Sequence, residues 1–442
     1  MKRVLYAALR RFSALDRSLR ERLTPAGWLV LGAAGAAAAG GIDLNQTLTA
    51  QAFTLLGSFL AVGFLSSRAV RARVGAKREV PRYATAGEEF VYRVTVTNRA
   101  SAPLADATIA ERFRDPRPRY EEWRAAREPG EQRRNWFDRE AGYFRWRWLI
   151  ERRIPQDATQ AALPALAPGE SRTVRLAFRP RRRGRIELAG LDVARVDPLG
   201  LVKGLARVPL EARVIALPKR YRIPAIALPG ARKFQQGGVS LSASIGDSQE
   251  FLSLRDYRPG DPLQRVHWKS FARTGKPIVK EYQDEFFERH ALVLDTGSAN
   301  GEDTAFEEAL AVAASFVYTI DTQECLLDLL FIGGEVKTYT TGRGQSQTEQ
   351  VLEVLAGVGP SPPGRFGELA RAVLARRATV SSIIAVLLAW DEPRKRFIAQ
   401  ARANGLDVRA LLVTGAESPE ASAAGLVVLR PDAIQQGLAA LQ

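Results

Sequence analysis

The amino-acid sequence predicts a membrane-anchored protein of mixed class, with two N-terminal transmembrane helices, an all-β domain and an α/β domain. Three patterns support this prediction. Two uncharged runs stand near the start of the chain, short alternating strands occupy residues 79–226, and strands alternate with helices over residues 286–442. A chain of 442 residues is too long for one ordinary hydrophobic core, so two or three domains are expected.

The first element is the membrane anchor. Residues 1–25 are polar and basic, and residues 26–67 contain the two uncharged runs, joined by a short loop. As a helix, each run would cross most or all of a bilayer core about 30 Å thick. Basic residues flank both outer ends, so the positive-inside rule predicts a two-pass protein of the inner (plasma) membrane with cytoplasmic soluble domains. A signal peptide cleaved at residues 37–39 is the alternative.

The second element, residues 79–226, is predicted to be an antiparallel β-sandwich. Its clearest strand is Phe90–Asn98, where apolar and polar residues alternate with the period of a half-buried strand. An insertion at about residues 112–153 interleaves arginine with aromatic residues, a combination suited to nucleic acid or lipid headgroups. Because acidic residues offset many of these arginines, we predict instead a salt-bridged surface loop with a strand at residues 143–150.

The third element, residues 227–285, links the predicted β-sandwich to the α/β domain. Within it, residues 250–282 combine closely spaced charged side chains with tyrosine and tryptophan, which is unusual for a connector. A Pro-Gly turn at residues 258–262 precedes a predicted helix, which Asp261 would cap and Pro262 would begin. We call the candidate residues of this segment the signature set: Glu250, Arg255, Tyr257, Gly260, Asp261, Arg265, Trp268, Lys269 and Arg273.

Two roles are open for the signature set. In the first, its charged side chains clamp the segment onto the α/β domain through charge-assisted hydrogen bonds, with Trp268 buried beneath them. In the second, the set forms a docking surface for a protein with acidic loops or for one in a nucleotide-bound state. We expect the clamp to explain most of the pattern, and docking to use the exposed cations Arg258, Lys269 and Lys276.

The same stretch resembles a known bacterial family, domain of unknown function family 58 (DUF58). The family pattern E-F-x-x-L-R-x-Y-x-x-G-D-x-x-R-R-I-x-W-K-x-x-A-R falls on residues 250–273, with Gln264 and Val266 as departures and Phe271 at a position where a small residue is typical. Members are commonly associated with MoxR-type AAA+ ATPases. The resemblance therefore implies an ATPase partner and a role in protein assembly or maturation at the cell envelope.

The final element, residues 286–442, is predicted to be a largely parallel, doubly wound, Rossmann-like sheet, because apolar strands alternate with amphipathic helices. Its first strand runs into residues 295–299, where von Willebrand factor A-like domains carry the motif D-x-S-x-S, which helps to hold Mg²⁺. Here Gly297 and Ala299 replace both hydroxyl residues. We therefore predict a degenerate, metal-free site, with Mg²⁺ as the alternative. Its candidate residues are Asp295, Ser298 and Asp391.

Charge, cysteine content and the motifs present limit the classes of function that the sequence supports. A net charge of +16 favours anionic partners such as membrane lipids or nucleic acid, and the single cysteine, Cys325, excludes an intrachain disulfide. The sequence has no nucleophile elbow, zinc-protease helix or phosphate-binding loop, and we predict no catalytic residue. We expect a membrane-anchored cytoplasmic adaptor or scaffold working with the ATPase. The alternatives are anionic-lipid or nucleic-acid binding through the basic surface, and a metal-dependent hydrolase using Asp295.

Overall fold

The chain folds into two compact units, residues Met1–Lys219 and Arg220–Gln442. Each unit buries its own hydrophobic core, as expected for a chain of this length. The computed structural model describes residues 2–40, 47–224, 234–235, 249–261, 263–284, 286–298, 303–320, 325–341, 345–416 and 419–441.

Three helices open the first unit: α1 (Lys2–Arg22), α2 (Pro25–Gly40) and α3 (Thr47–Ala69). Among the described residues, one helical segment, Leu48–Ala69, is long and apolar enough to cross a membrane. Helix α2 is shorter: its 16 residues extend only about 24 Å, and its apolar part is Pro25–Ala39. One of the two expected membrane helices therefore meets the length requirement, and the second crossing stays a prediction.

The first two turns of α2 pack closely on the connection that follows residue 196. A side-chain carbon at Gly27 would lie 2.2 Å from the carbonyl oxygen of Leu201, so only glycine fits there. The Thr24 hydroxyl donates to the carbonyl oxygen of Gly200 (2.6 Å) and accepts the Gly27 N–H (3.0 Å). These contacts fix the helix start to the β-rich part of the same unit.

The rest of the first unit contains two sheets that share one core. Val94 and Val96 of one sheet and Ile109 and Val193 of the other are fully buried between them, which is the layer arrangement of a β-sandwich. The three-stranded sheet has the order β1-β3-β6 and the five-stranded sheet the order β2-β8-β7-β4-β5, where the strands are β1 (Val74–Glu79), β2 (Tyr83–Thr85), β3 (Phe90–Asn98), β4 (Ala107–Phe113), β5 (Gln160–Leu163), β6 (Ser171–Phe178), β7 (Gly184–Val196) and β8 (Lys203–Leu217).

The arginine-rich insertion is helical, and the predicted strand at residues 143–150 is wrong. Residues 144–148 alternate aromatic and arginine side chains, which resembles the period of a strand. However, Trp146 and Leu149, three positions apart, are the buried pair, and this spacing is that of one helix face. Both pack against Trp123 in a small separate cluster. The three helices are α4 (Tyr120–Ala125), α5 (Trp136–Ala141) and α6 (Tyr143–Glu151).

The second unit is built on a seven-stranded sheet. Five neighbouring strands are parallel, in the order β13, β12, β15, β16 and β17. Strand β14 pairs antiparallel with β13, and the short β9 pairs antiparallel with β12. The strands are β9 (Phe234–Gln235), β10 (Gln249–Asp256), β11 (Ile278–Asp284), β12 (Phe286–Leu294), β13 (Cys325–Gly333), β14 (Glu335–Thr341), β15 (Ser382–Leu387), β16 (Asp407–Val413) and β17 (Val427–Leu429).

Helices pack around this sheet, so the alternation seen in the sequence corresponds to a mostly parallel α/β layer structure. All six residues of β15 are buried, as expected for a central strand covered on both faces. The helices are α7 (Trp268–Thr274), α8 (Thr304–Ile320), α9 (Gln345–Ala356), α10 (Phe366–Leu374), α11 (Glu392–Ala403), α12 (Pro419–Ala423) and α13 (Ile434–Ala439).

Candidate functional site

The signature set lies on a β-hairpin of the second unit. Strands β10 and β11 pair antiparallel with each other and form a two-stranded sheet distinct from the seven-stranded one. Helix α7 and a short 3₁₀ turn at Leu263–Arg265 lie in the connection between these strands. The Tyr257 N–H donates to the carbonyl oxygen of Pro277 (3.0 Å), which extends the hairpin pairing. For Glu250 the structure gives the backbone position, opposite Gln283.

A bidentate ion pair closes the turn of this hairpin. The Arg255 guanidinium donates through Nη1 and Nη2 to the two Asp261 oxygens, both at 2.8 Å, and the Arg258 N–H donates to Oδ2 at 2.8 Å. Gly260 has a φ of +107°, which strongly favours glycine. The prediction that Asp261 caps the following helix is wrong, because α7 begins at Trp268 and the carboxylate closes the turn instead. The predicted helix start, Pro262, lies outside the described residues.

This ion pair has a measurable acid dependence. The Arg255 hydrogen bond, together with the Arg258 N–H, lowers the pKa of Asp261 to about 2. An ordinary aspartate has a pKa of about 3.9, so the ionised carboxylate stabilises the hairpin fully above about pH 4 and loses this effect toward pH 2. In Arg255→Gln we expect the Asp261 pKa to rise toward the ordinary value, measured by NMR titration of the side-chain carboxyl. An unchanged pKa would show that the guanidinium does not hold the carboxylate in solution.

Trp268 is exposed, and the prediction that it is buried beneath the charged residues is wrong. Its exposed fraction is 60%, that of Leu263 is 66%, and the Trp268 ring lies edge-on to the Phe271 ring at 6.0 Å. The hairpin uses Val266 and Val279, bridged to each other and both buried, as its apolar contact. A two-stranded hairpin has too little interior to cover an indole as well.

The cations of the signature set fall into two groups. Arg255 is engaged with Asp261 inside the hairpin, and the predicted clamp onto the α/β domain stays a prediction. Lys269 and Arg273, four positions apart on α7, are exposed on the same helix as Trp268, and Arg265 is exposed on the preceding turn. One part of the set therefore stiffens the hairpin, and the other part presents aromatic and basic groups to the surroundings.

The metal-site candidates meet at the carboxyl end of β12, beside the end of β15. The Asp295 carboxylate is 1% exposed and accepts the N–H groups of Gly297 (2.9 Å) and Leu388 (3.1 Å). Arg394, also 1% exposed, donates from Nε to Asp295 Oδ2 at 2.7 Å. Burial raises the pKa of the Asp295 carboxyl, whereas the Arg394 charge and the two N–H groups act to lower it.

Arg394 also joins the second acidic candidate. Its Nη1 donates to Asp391, whose side chain caps the start of α11, and its guanidinium lies 4.6 Å from the centre of the Phe366 ring. The two carboxylates thus share one buried, permanently charged cation. Arg394 was not among the residues predicted from the sequence. The only signal was its position three residues after Asp391, at the start of a helix.

These residues do not fit Mg²⁺, which takes near-octahedral oxygen ligands. The Arg394 guanidinium lies against Asp295, where the ion would need to be. A side-chain carbon at Gly297 would come within 3.2 Å of both Arg394 Nη2 and Asp295 Oδ1, so a serine would be crowded at this motif position. Ser298 is held by its N–H, which donates to the Ser361 carbonyl (3.2 Å). The other missing hydroxyl position, Ala299, lies outside the described residues.

Comparison with known proteins gives a family and distant relatives. Residues 253–435 match the family described as "Protein of unknown function DUF58". The chain is 26% identical over 200 residues to "Uncharacterized protein YeaD" of Bacillus subtilis (strain 168), covering 44% of this chain and 48% of that protein. It is 28% identical over 184 residues to "Uncharacterized protein Mb1516" of Mycobacterium bovis, covering 39% and 58% respectively. The chain thus spans about half the length of these curated relatives.

Among solved structures, the CARDB domain of PF1109 from Pyrococcus furiosus aligns with 10% identity and a TM-score of 0.17, covering 32% of this chain and 91% of that domain. Similarity this low supports no statement about fold or function. The family match and the two bacterial relatives carry the assignment instead. The C-terminal region of the chain, residues 253–435, therefore contains a DUF58 family domain.

Proposed function

We propose that this protein is an adaptor or scaffold whose signature hairpin docks a partner protein. The observation that carries the proposal is the exposed aromatic pair Trp268 and Phe271 on α7, with the exposed cations Lys269 and Arg273 on the same helix. Tryptophan and arginine are enriched among the residues that dominate binding energy at interfaces. A large aromatic side chain left in water beside cations is the composition expected of an anchor for a partner.

The geometry of the hairpin favours docking over a loose surface loop. The Arg255–Asp261 pair and the buried contact between Val266 and Val279 hold the turn and α7 in place. A preorganised face loses less conformational entropy on association, so more of the contact free energy appears as affinity. The bordering cations favour a partner with an acidic surface, which they would attract over a distance of about one Debye length.

The partner in this proposal is a MoxR-type AAA+ ATPase, which is implied by the family resemblance, and the role is protein assembly or maturation at the cell envelope. We further propose that α3 crosses the inner membrane, that α2 forms a second crossing beside it, and that the soluble units are cytoplasmic. In this proposal the second unit is a von Willebrand factor A-like domain. The qualifying length and apolar character of Leu48–Ala69 support the anchor.

A metal-dependent hydrolase is the weaker alternative. It requires a cation site that is open at Asp295, and the buried Arg394 guanidinium already pairs with that carboxylate. It also requires further ligands, and among the described residues no group of three His, Cys, Asp or Glu side chains is placed to hold a metal ion. We therefore assign the central role to docking.

The test is a pull-down from membranes solubilised in mild detergent, with ATPase recovery as the readout. We expect Trp268→Ala/Lys269→Ala to recover roughly 30-fold less ATPase than the wild type, because loss of an interface anchor costs about 2 kcal/mol or more. The matched control is Trp136→Ala/Arg139→Ala, which removes an exposed tryptophan and an exposed cation from a short helix of the first unit. Thermal melts confirm that both variants fold.

Each result has a definite meaning. Recovery by the wild type and the control, but not by the hairpin variant, supports docking through the signature set. Equal recovery by all three proteins contradicts the docking role of this face. If the wild type recovers no ATPase, the proposed partner is wrong.

A further inference from the structure

The connection between β7 and β8, residues 197–202, lies against helix α3 of the same unit, and we call it the β7–β8 tip. A side-chain carbon at Gly63 of α3 would lie 3.1 Å from Val202 Cγ2. A side-chain carbon at Gly204, just after the tip, would lie 2.2 Å from the Ser67 carbonyl oxygen. The two glycines thus allow the tip and the last two turns of α3 to approach closely.

The level of this contact along α3 sets the depth of the tip in a membrane that α3 crosses. The apolar segment is Leu48–Ala69, and from Gly63 to its end the helix advances about 9 Å. A bilayer core about 30 Å thick takes about 20 helical residues, which is nearly the whole segment. The β7–β8 tip would therefore meet the bilayer near the boundary between acyl chains and headgroups.

The backbone of the β7–β8 tip is satisfied within the protein. The buried Asp197 carboxylate accepts three N–H groups of the tip, those of Leu199 (3.1 Å), Leu201 (2.7 Å) and Val202 (2.6 Å). The Gly200 N–H donates to the Asp197 carbonyl oxygen at 2.9 Å, and Pro198 has no N–H. An unpaired N–H is costly in a lipid environment, so this pairing makes it easier to move the tip out of water.

The side chains that the tip presents to the outside are apolar. Leu199 is 42% exposed, and Pro198 and Val196, at the end of β7, are exposed as well. Trp28 of α2 is also exposed and follows Gly27, which lies against Leu201 of the tip. Tryptophan is enriched at membrane–water interfaces, where its ring lies at the level of the headgroups. The tip and the helix start beside it thus share the composition of an interfacial surface.

Basic side chains lie at the same end of α3. Arg68 is exposed in the last turn of the helix, and Arg71 is exposed just after it. Cations beside a membrane helix are attracted to the anionic lipids of the cytoplasmic leaflet. Apolar side chains next to cations are the combination that inserts into a lipid interface.

We infer that the β7–β8 tip inserts Leu199 into the interfacial layer of the bilayer beside α3. This inference rests on the proposed crossing by α3 and extends it, since the crossing alone would allow the β-sandwich to stand away from the lipid. Contact through the tip fixes the orientation of the first unit relative to the membrane surface.

The experiment measures the depth of fluorescent labels in the full chain, reconstituted in nanodiscs of phosphatidylcholine and phosphatidylglycerol. Cysteines replace Leu199, Phe59 or Val91 one at a time in a Cys325→Ser background, and each carries a nitrobenzoxadiazole label. Part of the lipid carries a nitroxide quencher, either near the headgroup or near the end of the acyl chain. Thermal melts confirm that the variants fold like the wild type.

We expect the label at Leu199 to lose most of its fluorescence to the nitroxide near the headgroup, because the tip lies at the edge of the acyl-chain layer. The label at Phe59, an exposed residue near the middle of α3, should lose most of its fluorescence to the deep nitroxide. The label at Val91 should keep its fluorescence with both lipids.

Val91 is the matched control because it is exposed to a similar extent, 48%, and lies far from α3. Strand β1 follows α3 and pairs with β3, beginning with Val74 opposite Asn98. Val91 is therefore about 24 Å along β3 from the end of the sheet that adjoins the helix.

Quenching at Leu199 by the shallow nitroxide supports insertion of the tip. Quenching at Phe59 without quenching at Leu199 overturns the inference and leaves the crossing by α3 intact. If neither position is quenched, the proposed crossing is wrong and the inference fails with it. Equal quenching at Leu199 and Val91 also overturns the inference, because the label itself would then be binding lipid.

Discussion

Replacement of Arg394 by methionine is expected to lower the free energy of unfolding of the second unit by about 3–5 kcal/mol. Arg394 is the buried counter-charge of Asp295, and both side chains are almost fully enclosed. Without the guanidinium, the carboxylate keeps two N–H donors, from Gly297 and Leu388, but loses its opposite charge in a poorly solvated position. The cost therefore reflects an uncompensated buried charge more than a lost contact.

Hydrogen exchange of the β12 and β15 amides, read by mass spectrometry, measures this loss in the unit that contains the pair. The control is Arg396→Met on the same helix, whose side chain is 74% exposed and whose nearest carboxylate contact is 3.7 Å. It should change stability by less than about 0.5 kcal/mol. The double variant Asp295→Asn/Arg394→Met should be more stable than Arg394→Met, because it removes the buried charge as well. If Arg394→Met behaves like Arg396→Met, the pair does not hold this edge of the sheet.

The second unit should also lose stability as the pH falls from about 6.5 to about 4. His290 on β12 is 2% exposed, and burial lowers its pKa to about 4. The ordinary value is about 6.5, so between these values the unfolded chain binds a proton at this position and the folded chain does not. Proton uptake on unfolding makes stability fall with falling pH, and the full interval corresponds to about 3 kcal/mol.

The variant His290→Asn isolates this contribution. Its amide lies near the position of Nδ1, which is 2.8 Å from the Ser382 hydroxyl oxygen, and it does not titrate. We expect the difference in unfolding free energy between wild type and variant to shrink steadily from pH 7 to pH 4, since carboxylates common to both cancel. Parallel pH profiles of the two proteins would contradict the assignment of this dependence to His290.

Some features of the molecule follow from local sequence pattern. The apolar run of β12 and β15 is readable because a central strand of a parallel sheet is buried on both faces. Gly260 marks its turn because few other residues adopt positive φ easily. The alternation in β3 likewise predicts its two faces, and every second residue is indeed buried.

Local pattern fails where short segments satisfy two periods. The alternation of residues 144–148 suits a strand, yet Trp123 supplies an apolar surface that buries one face of a helix there. The exposure of Trp268 was also not predictable from local sequence pattern. Its apolar character predicted burial, but the hairpin that carries it offers no interior for an indole.

The sequence by itself determined the apolar segment Leu48–Ala69, the change from β-rich to α/β pattern and the signature turn, because composition and period are properties of neighbouring residues. Tertiary structure alone decided what meets at the sites. Asp295 and Arg394 are 99 residues apart and meet because β12 pairs with β15, after which the chain leads into α11. Such contacts depend on which strands pair, and that pairing cannot be predicted from a local sequence pattern.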